Sequence, residues 1–285
     1  MNMWHQGQLS LSQGEAIILV TITSVEGSSP REVGATMLVT PRGFSGTIGG
    51  GTMEWQAMAK AQAMLNHEND FEQLRFNLGP DLGQCCGGRV ALSLQRFTPN
   101  IAQNFILCRD QNQSQQRQLF LFGAGHVGRA LVLILAQSPF EVIWCDQRPN
   151  AFPAAMPSNV TLRADASPES ILAEARSGAM VMIMSHSHAL DLVLVDAALR
   201  HPNIVETGLI GSATKRARFE SRLRAANVAE HRIAQLHCPI GIGAIRSKLP
   251  HAIAISTAAQ LITLDEKHIA VEGMVENNNL GHVNL

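Results

Sequence analysis

The first third of the chain carries its apolar residues in short runs broken by polar turns. Residues 16–25 (AIILVTITSV), rich in β-branched side chains, read as a strand. Two shorter runs, Thr36–Thr40 and Phe44–Ile48, flank Pro41-Arg42-Gly43 and predict a hairpin. Gly49-Gly50-Gly51 then feeds a helix with Thr52 as expected N-cap and Glu54 in the first turn. Trp55, Met58, Ala61 (or Gln62) and Leu65 recur at helical spacing and form its expected inward face. Phe71–Leu78 and Arg89–Phe97 read as further strands, and Pro99 to about Asp110 as a short helix. Residues 111–117 (QNQSQQR) hold no apolar side chain and are expected to link two domains.

Beyond residue 117 strand and helix patterns alternate. Buried runs end at Phe122, Cys145, Leu162, Met184 and Ile210, and helix-compatible stretches cover Arg129–Gln137, Pro168–Arg176, Leu190–Arg200 and Ser212–Ala226. A last apolar helix spans Pro250–Leu264. Such alternation predicts a parallel, doubly wound sheet. The expected fold is α/β: a smaller N-terminal α/β domain (1–110), a linker (111–117), a Rossmann-like C-terminal domain (118–265) and a polar tail (266–285).

Between the first strand and first helix of the second domain lies Gly123-Ala124-Gly125-His126-Val127-Gly128. It fits G-x-G-x-x-G in the strand–turn–helix setting that gives the pattern meaning. Gly123 suits the tight turn, Gly125 the approach of a phosphate to the backbone, and Gly128 close packing of helix on strand. Amides at the new helix N-terminus then face an anion. Asp146 ends the next strand, about where a Rossmann unit places its ribose-binding acid. Ligands of doubly wound sheets lie beyond the C-terminal strand ends, so candidate contacts are Gly123–Gly128 (His126 included), Asp146–Arg148, Ser185–His188 and Gly211–Lys215. Ser212 caps a helix there and Lys215 adds positive potential beside its free amides. The glycines 49–51 form either a second anion cradle or a plain turn.

Composition narrows the function classes. The 285 residues are 46% hydrophobic and 16% charged, enough apolar content to bury substantial cores. A net charge of −1 argues against a nucleic-acid partner. No apolar run approaches the ~20 residues that span a bilayer, and the N-terminus lacks the basic-then-apolar order of a signal peptide. Five cysteines, two of them adjacent, do not resemble a disulfide framework. A soluble, cytoplasmic protein with reduced thiols and no membrane partner is expected.

Cys85 and Cys86 are followed by Gly87-Gly88-Arg89. They read either as exposed thiols, with Arg89 favouring the thiolate, or as small buried residues at a turn. His186-Ser187-His188 suits a metal if a third ligand arrives, a polar contact to a ligand, or the capping of a strand end. Cys238, in the loop before the last helix, reads as core.

Together these segments resemble a known family. Gly27-Ser28-Ser29-Pro30-Arg31, Gly49-Gly50-Gly51-Thr52-Met53-Glu54, Cys85-Cys86-Gly87-Gly88-Arg89, Gly123–Gly128, Gly208-Leu209-Ile210-Gly211-Ser212 and Cys238-Pro239-Ile240-Gly241 are similar, in order, to motifs of the XdhC/CoxI family. Its members are accessory proteins of xanthine dehydrogenase and related molybdenum hydroxylases. The resemblance implies a non-catalytic carrier that binds molybdenum cofactor, protects it while a cysteine desulfurase installs the terminal sulfur, and delivers it to the apo-hydroxylase. It implies Cys86, or Cys85, as the contact to molybdenum, and the loops at Gly49–Gly51 and Gly123–Gly128 as cofactor-binding segments. A homodimer is compatible with it. One departure stands out: the family usually has an acidic residue where this chain has Ser187.

The competing reading is an NAD(P)-dependent oxidoreductase, supported by the glycine motif and Asp146. Against it, the chain holds no tyrosine, hence no Tyr–Lys pair, and shows no evident general acid.

Overall fold

The structure, a computed structural model, describes residues 3–67, 69–78, 87–114, 116–164 and 167–280. They divide into two compact units, Met1–Gln113 and Ser114–Leu285.

The first unit runs α1 (Met3–Ser12), β1 (Ile17–Glu26), β2 (Thr36–Thr40), β3 (Gly43–Gly46), α2 (Gly51–Leu65), β4 (Phe71–Asn77), β5 (Arg89–Phe97) and α3 (Ala102–Ser114). Its five strands form an antiparallel sheet in the order β3-β2-β1-β5-β4. Strand alternation sends Ile18, Val20 and Ile22 to one face and Ile17 and Leu19 to the other. The first face is covered by α2 through Met53, Ala57, Ala61 and Met64. The second is covered by α1 and α3, where Phe105 meets Trp4 and Phe97 with ring centroids 5.2 and 5.4 Å apart.

The second unit runs β6 (Arg117–Phe122), α4 (His126–Ile134), β7 (Phe140–Cys145), β8 (Val160–Arg163), α5 (Pro168–Leu172), β9 (Ala179–Ile183), α6 (His188–Arg200), β10 (Ile204–Leu209), α7 (Ala213–Ala225), α8 (Glu230–Ile233), β11 (Leu236–His237) and α9 (Pro250–Leu280). All six strands pair in parallel, in the order β11-β10-β9-β6-β7-β8. Numbered from β6, this is the Rossmann order 3-2-1-4-5-6 read from the β8 edge, and the α/β, doubly wound expectation holds. Its switch point lies between β6 and β9. One face packs on α4 and α9 through Leu119, Leu121, Trp144 and Met182, the other on α5, α6 and α7 through Phe120, Ile143, Val181 and Ile183.

Four local expectations change. Thr52, expected as N-cap, lies inside the helix, which begins at Gly51 with Gly50 as N-cap. Trp55, expected inward with Met58, Ala61 and Leu65, is 69% exposed, because the helix is laid on the sheet along Met53, Ala57, Ala61 and Met64. The polar run 111–117 is not all linker: α3 reaches Ser114 and Arg117 opens β6. The stretch after residue 265 does not fray at once, since α9 continues to Leu280. Two polar side chains of α9 tie it to the sheet. Asp265 pairs with Arg117 at 2.8 Å with both nearly buried, and Nε2 of His268 lies 2.9 Å from the Glu206 carboxylate. Among the described residues no helix is long and apolar enough to cross a membrane.

Candidate functional site

In the second unit the buried strand β6 delivers the chain to Gly123, whose φ of +118° disfavours any L side chain. A Cβ there would strike the backbone carbonyl of Met184 at the end of β9, so the two central strands close tightly at the switch point. Gly128 faces the carbonyl of Gly123 and has no room for a side chain either. Gly125 differs: nothing lies within 4 Å of where its Cβ would be. The tight turn thus falls to Gly123 and the close packing to Gly128, and Gly125 is left open. Gly125 caps α4 with no side-chain hydrogen bond, and His126 opens the helix exposed to solvent.

Asp146 sits under this turn. Its side chain is 3% exposed. Oδ2 accepts from the Ala124 amide and from Arg148 Nη2, both at 2.7 Å, and Oδ1 from the Arg148 amide and Nε, both at 3.0 Å. Burial alone would raise its pKa, but these hydrogen bonds from Arg148 and Ala124 prevail and hold the carboxyl at about 2. All four acceptor positions are filled from within the chain. The residue at the ribose-binding place therefore braces the glycine turn.

Lys215 is likewise engaged. Its Nζ lies 2.6 Å from Oδ2 of Asp191, a side chain 1% exposed, donates to the Ile210 carbonyl at 2.9 Å, and stands 5.4 Å from the Phe219 ring centroid. Asp191 also accepts from the hydroxyl of Ser185 at 2.6 Å and its amide at 3.2 Å. Ser212 caps α7 by accepting from the Lys215 amide. Ser187 caps α6 by accepting from the Leu190 amide, which accounts for a serine between two exposed histidines. A small, partly open cavity of about 30 Å³ is lined by Gly123, Asp146, Ser185, His186 and their neighbours, room for one or two waters. Among the described residues no three His, Cys, Asp or Glu side chains are placed to hold a metal. Cys145 and Cys238 are buried, and burial pushes both thiols up, Cys145 to about 12.

In the first unit three loops converge. Ser28 forms a β-bridge with Gly87, and a Cβ on Gly88 would meet the carbonyls of Ser28 and Glu26. A Cβ on Gly49 would meet Pro30 at 2.6 Å. Glu54 reaches back under the glycines: its Oε2 accepts from Thr47 Oγ1 at 2.5 Å, the Ile48 amide at 2.9 Å and the Gly50 amide at 3.1 Å. Burial opposes ionisation of this carboxyl, but the hydrogen bonds prevail and hold it below the usual range. Cys85 and Cys86 lie outside the described residues.

Residues 119–261 match the model of the XdhC Rossmann domain, and residues 10–77 that of the XdhC and CoxI family. The chain belongs to the XdhC family. It is 29% identical over 274 residues to the uncharacterized protein YqeB of Escherichia coli K12, covering 92% of this chain and 46% of YqeB, and so spans about half of that relative. It is 23% identical over 278 residues to the molybdenum cofactor insertion chaperone PaoD of the same organism, covering 90% of this chain and 85% of PaoD. It is 22% identical over 334 residues to a probable xanthine dehydrogenase subunit of Bacillus subtilis 168, covering 92% of this chain and 96% of that relative. A crystal structure of a xanthine dehydrogenase from Bacillus halodurans shares the fold, with a TM-score of 0.73 and 21% identity over 94% of this chain and 96% of that one.

In this XdhC chain the sequence-predicted residues fall into two groups. Gly123, Gly125, His126, Gly128 and Asp146 share the turn at the switch point, and Ser212 and Lys215 reach it through Asp191 and Ser185. Gly49, Gly50 and Gly51 belong to the loop cluster of the first unit. Asp191 escapes the sequence reading. The signal for it is an acid inside an otherwise apolar helix (LDLVLVD), which needs a buried partner.

Proposed function

We propose that this chain is a cytoplasmic carrier in xanthine dehydrogenase maturation. It binds molybdenum cofactor, shields it during sulfuration by a cysteine desulfurase, and delivers it to an apo xanthine dehydrogenase-type hydroxylase. The observation that supports this most is that both halves match XdhC models in order, with PaoD aligning over most of both chains.

The donor set suits such a cargo. Its phosphate would be taken by the amides at the start of α4, which no side chain caps. The glycines before α2 are less suited to an anion, because the ionised Glu54 already accepts from the amides of Ile48 and Gly50. The soft molybdenum centre calls for a thiolate. Cys86, which immediately precedes Gly87 in the sequence, supplies it, with Cys85 as the neighbouring alternative. Holding without reacting is also consistent with the acids at the two turns. Asp146 and Glu54 are kept ionised by loop hydrogen bonds, and a carboxyl so held is a poor proton donor at neutral pH. A dinucleotide would find Asp146 committed to Arg148 rather than free for a ribose.

The test is cofactor retention by protein purified from molybdate-fed cells, read as molybdenum content and pterin oxidation products. Cys86→Ser should weaken retention about tenfold or more, about 1.4 kcal/mol. Unchanged retention in Cys86→Ser removes that cysteine from the mechanism, and the Cys85→Ser variant then shows whether its neighbour takes the role.

A further inference from the structure

Between β3 and the first turns of α2, wholly within the first unit, lies an open groove of about 580 Å³ lined by Phe44, Gly51, Thr52, Glu54, Trp55 and Met58. That volume falls in the usual range for small-molecule sites, about 300–1,000 Å³. Its walls are unusual for a surface: Trp55 is 69% exposed and Phe44 53% exposed. The chain's other two tryptophans, Trp4 and Trp144, are buried at 5% and 0%.

The polar group in the groove is Glu54. The hydrogen bonds from Thr47, Ile48 and Gly50 all fall on its Oε2. The carboxylate is thus oriented and held ionised, and among the described residues none of these three hydrogen bonds uses Oε1. An ionised carboxylate accepts hydrogen bonds and donates none. Exposed aromatic faces bind flat rings by stacking. Two aromatic walls with a fixed acceptor select a planar heterocycle bearing adjacent N–H donors, and reject a phosphate.

We propose that this groove binds the 2-amino-4-oxopteridine ring of the cargo, stacked on Trp55 and Phe44, with its amino and ring N–H groups on Oε1 of Glu54. The proposal rests on the carrier reading and deepens it: the groove takes the pterin ring of the cargo. Trp55 and Phe44 supply contact area, and Glu54 supplies discrimination.

The experiment uses the full chain and neopterin, a free pterin whose own fluorescence reports binding through anisotropy. Lumazine, which carries oxygen where pterin carries the 2-amino group, is the comparison ligand. Wild type should bind neopterin saturably and in preference to lumazine. Trp55→Ala, at a surface position that the fold does not need, should weaken neopterin by about tenfold, with an unchanged circular dichroism spectrum. Glu54→Gln should erase the preference for neopterin over lumazine, an effect that a general loosening of the loop would not produce. Equal binding by wild type and Trp55→Ala, or a preference that survives Glu54→Gln, overturns the proposal, as does an absence of saturable neopterin binding. Retention of whole cofactor separates the two levels. If Trp55→Ala retains it as well as wild type, the groove is excluded and the carrier stands. If wild type retains none, the carrier reading falls, whatever neopterin does.

Discussion

Lys215→Met tests whether this lysine is a ligand-binding cation or one half of a structural clamp. In the structure its Nζ lies 2.6 Å from Asp191, with side-chain exposures of 13% and 1%. Methionine keeps most of the aliphatic stem against Phe219 and deletes the charge. Among the described residues Asp191 is then a buried anion supported only by the hydroxyl and amide of Ser185, and the Ile210 carbonyl loses its donor. Breaking a buried pair from one side costs about 3–5 kcal/mol. The two surviving hydrogen bonds to Asp191 place this case at the lower end, about 3 kcal/mol. Adding Asp191→Asn removes the orphaned charge and should recover about 1–2 kcal/mol of that loss, a coupling of the size expected for contacting residues. Hydrogen exchange on the full chain is the suitable assay, because two compact units need not melt in one step. Slow amides of β9, β10 and α6 should exchange about a hundredfold faster, while those of β1 in the first unit stay unchanged and serve as the control. Protection of β9 and β10 within about 0.5 kcal/mol of wild type would refute the clamp and make Lys215 a free cation.

Two neighbouring glycines should respond in opposite ways. Gly123→Ala combines a φ of +118° with a clash on the Met184 carbonyl and should cost more than about 2 kcal/mol, seen as loss of soluble protein or of protection in α4. Gly125→Ala meets open space, so stability should move by less than about 0.5 kcal/mol while cofactor retention falls. Asp146 should make the second unit acid-sensitive. Its folded pKa of about 2 lies below the ordinary 3.8, so its contribution is complete above 3.8 and is lost as pH falls through 3.8 toward 2. The difference corresponds to at most about 2 kcal/mol, nearer 1 kcal/mol after screening through half-exposed Arg148. Urea unfolding followed down this range should show the loss in wild type and not in Asp146→Asn. Mixing the protein with NADH should leave nicotinamide fluorescence unchanged, since Asp146 is already saturated; a saturable change would reopen the dinucleotide reading.

Much of the second unit was legible because its strands are buried on both faces and therefore appear as unbroken apolar runs punctuated by glycine. The spacing from Gly128 to Asp146 located the acid correctly beneath the turn. Its occupation by Arg148, two residues on, was not visible, because which partner wins depends on side-chain geometry. Lys215 looked free because Asp191 lies 24 positions away and the pairing exists only after α6 and α7 dock on the same sheet. Trp55 misled for a different reason. Hydrophobicity favours a stripe of Trp55, Met58, Ala61 and Leu65 as the inward face; Ala61 is buried, but the helix lies on the sheet along Met53, Ala57, Ala61 and Met64, a line that turns Trp55 outward. The tail after residue 265 looked polar enough to fray. His268 is polar because it is an anchor, and an anchored polar group carries the same letters as a solvated one.

The carrier account is tested most directly by transfer. Protein loaded in molybdate-fed cells is mixed with apo xanthine dehydrogenase-type hydroxylase, and molybdenum, intact pterin and hydroxylase activity are followed in each partner after separation. The account predicts that molybdenum and pterin leave the carrier together, at about one molybdenum per chain, and that hydroxylase activity appears in proportion. Loaded protein that keeps its cofactor in the presence of the apo-enzyme, or that turns over a substrate by itself, would contradict it.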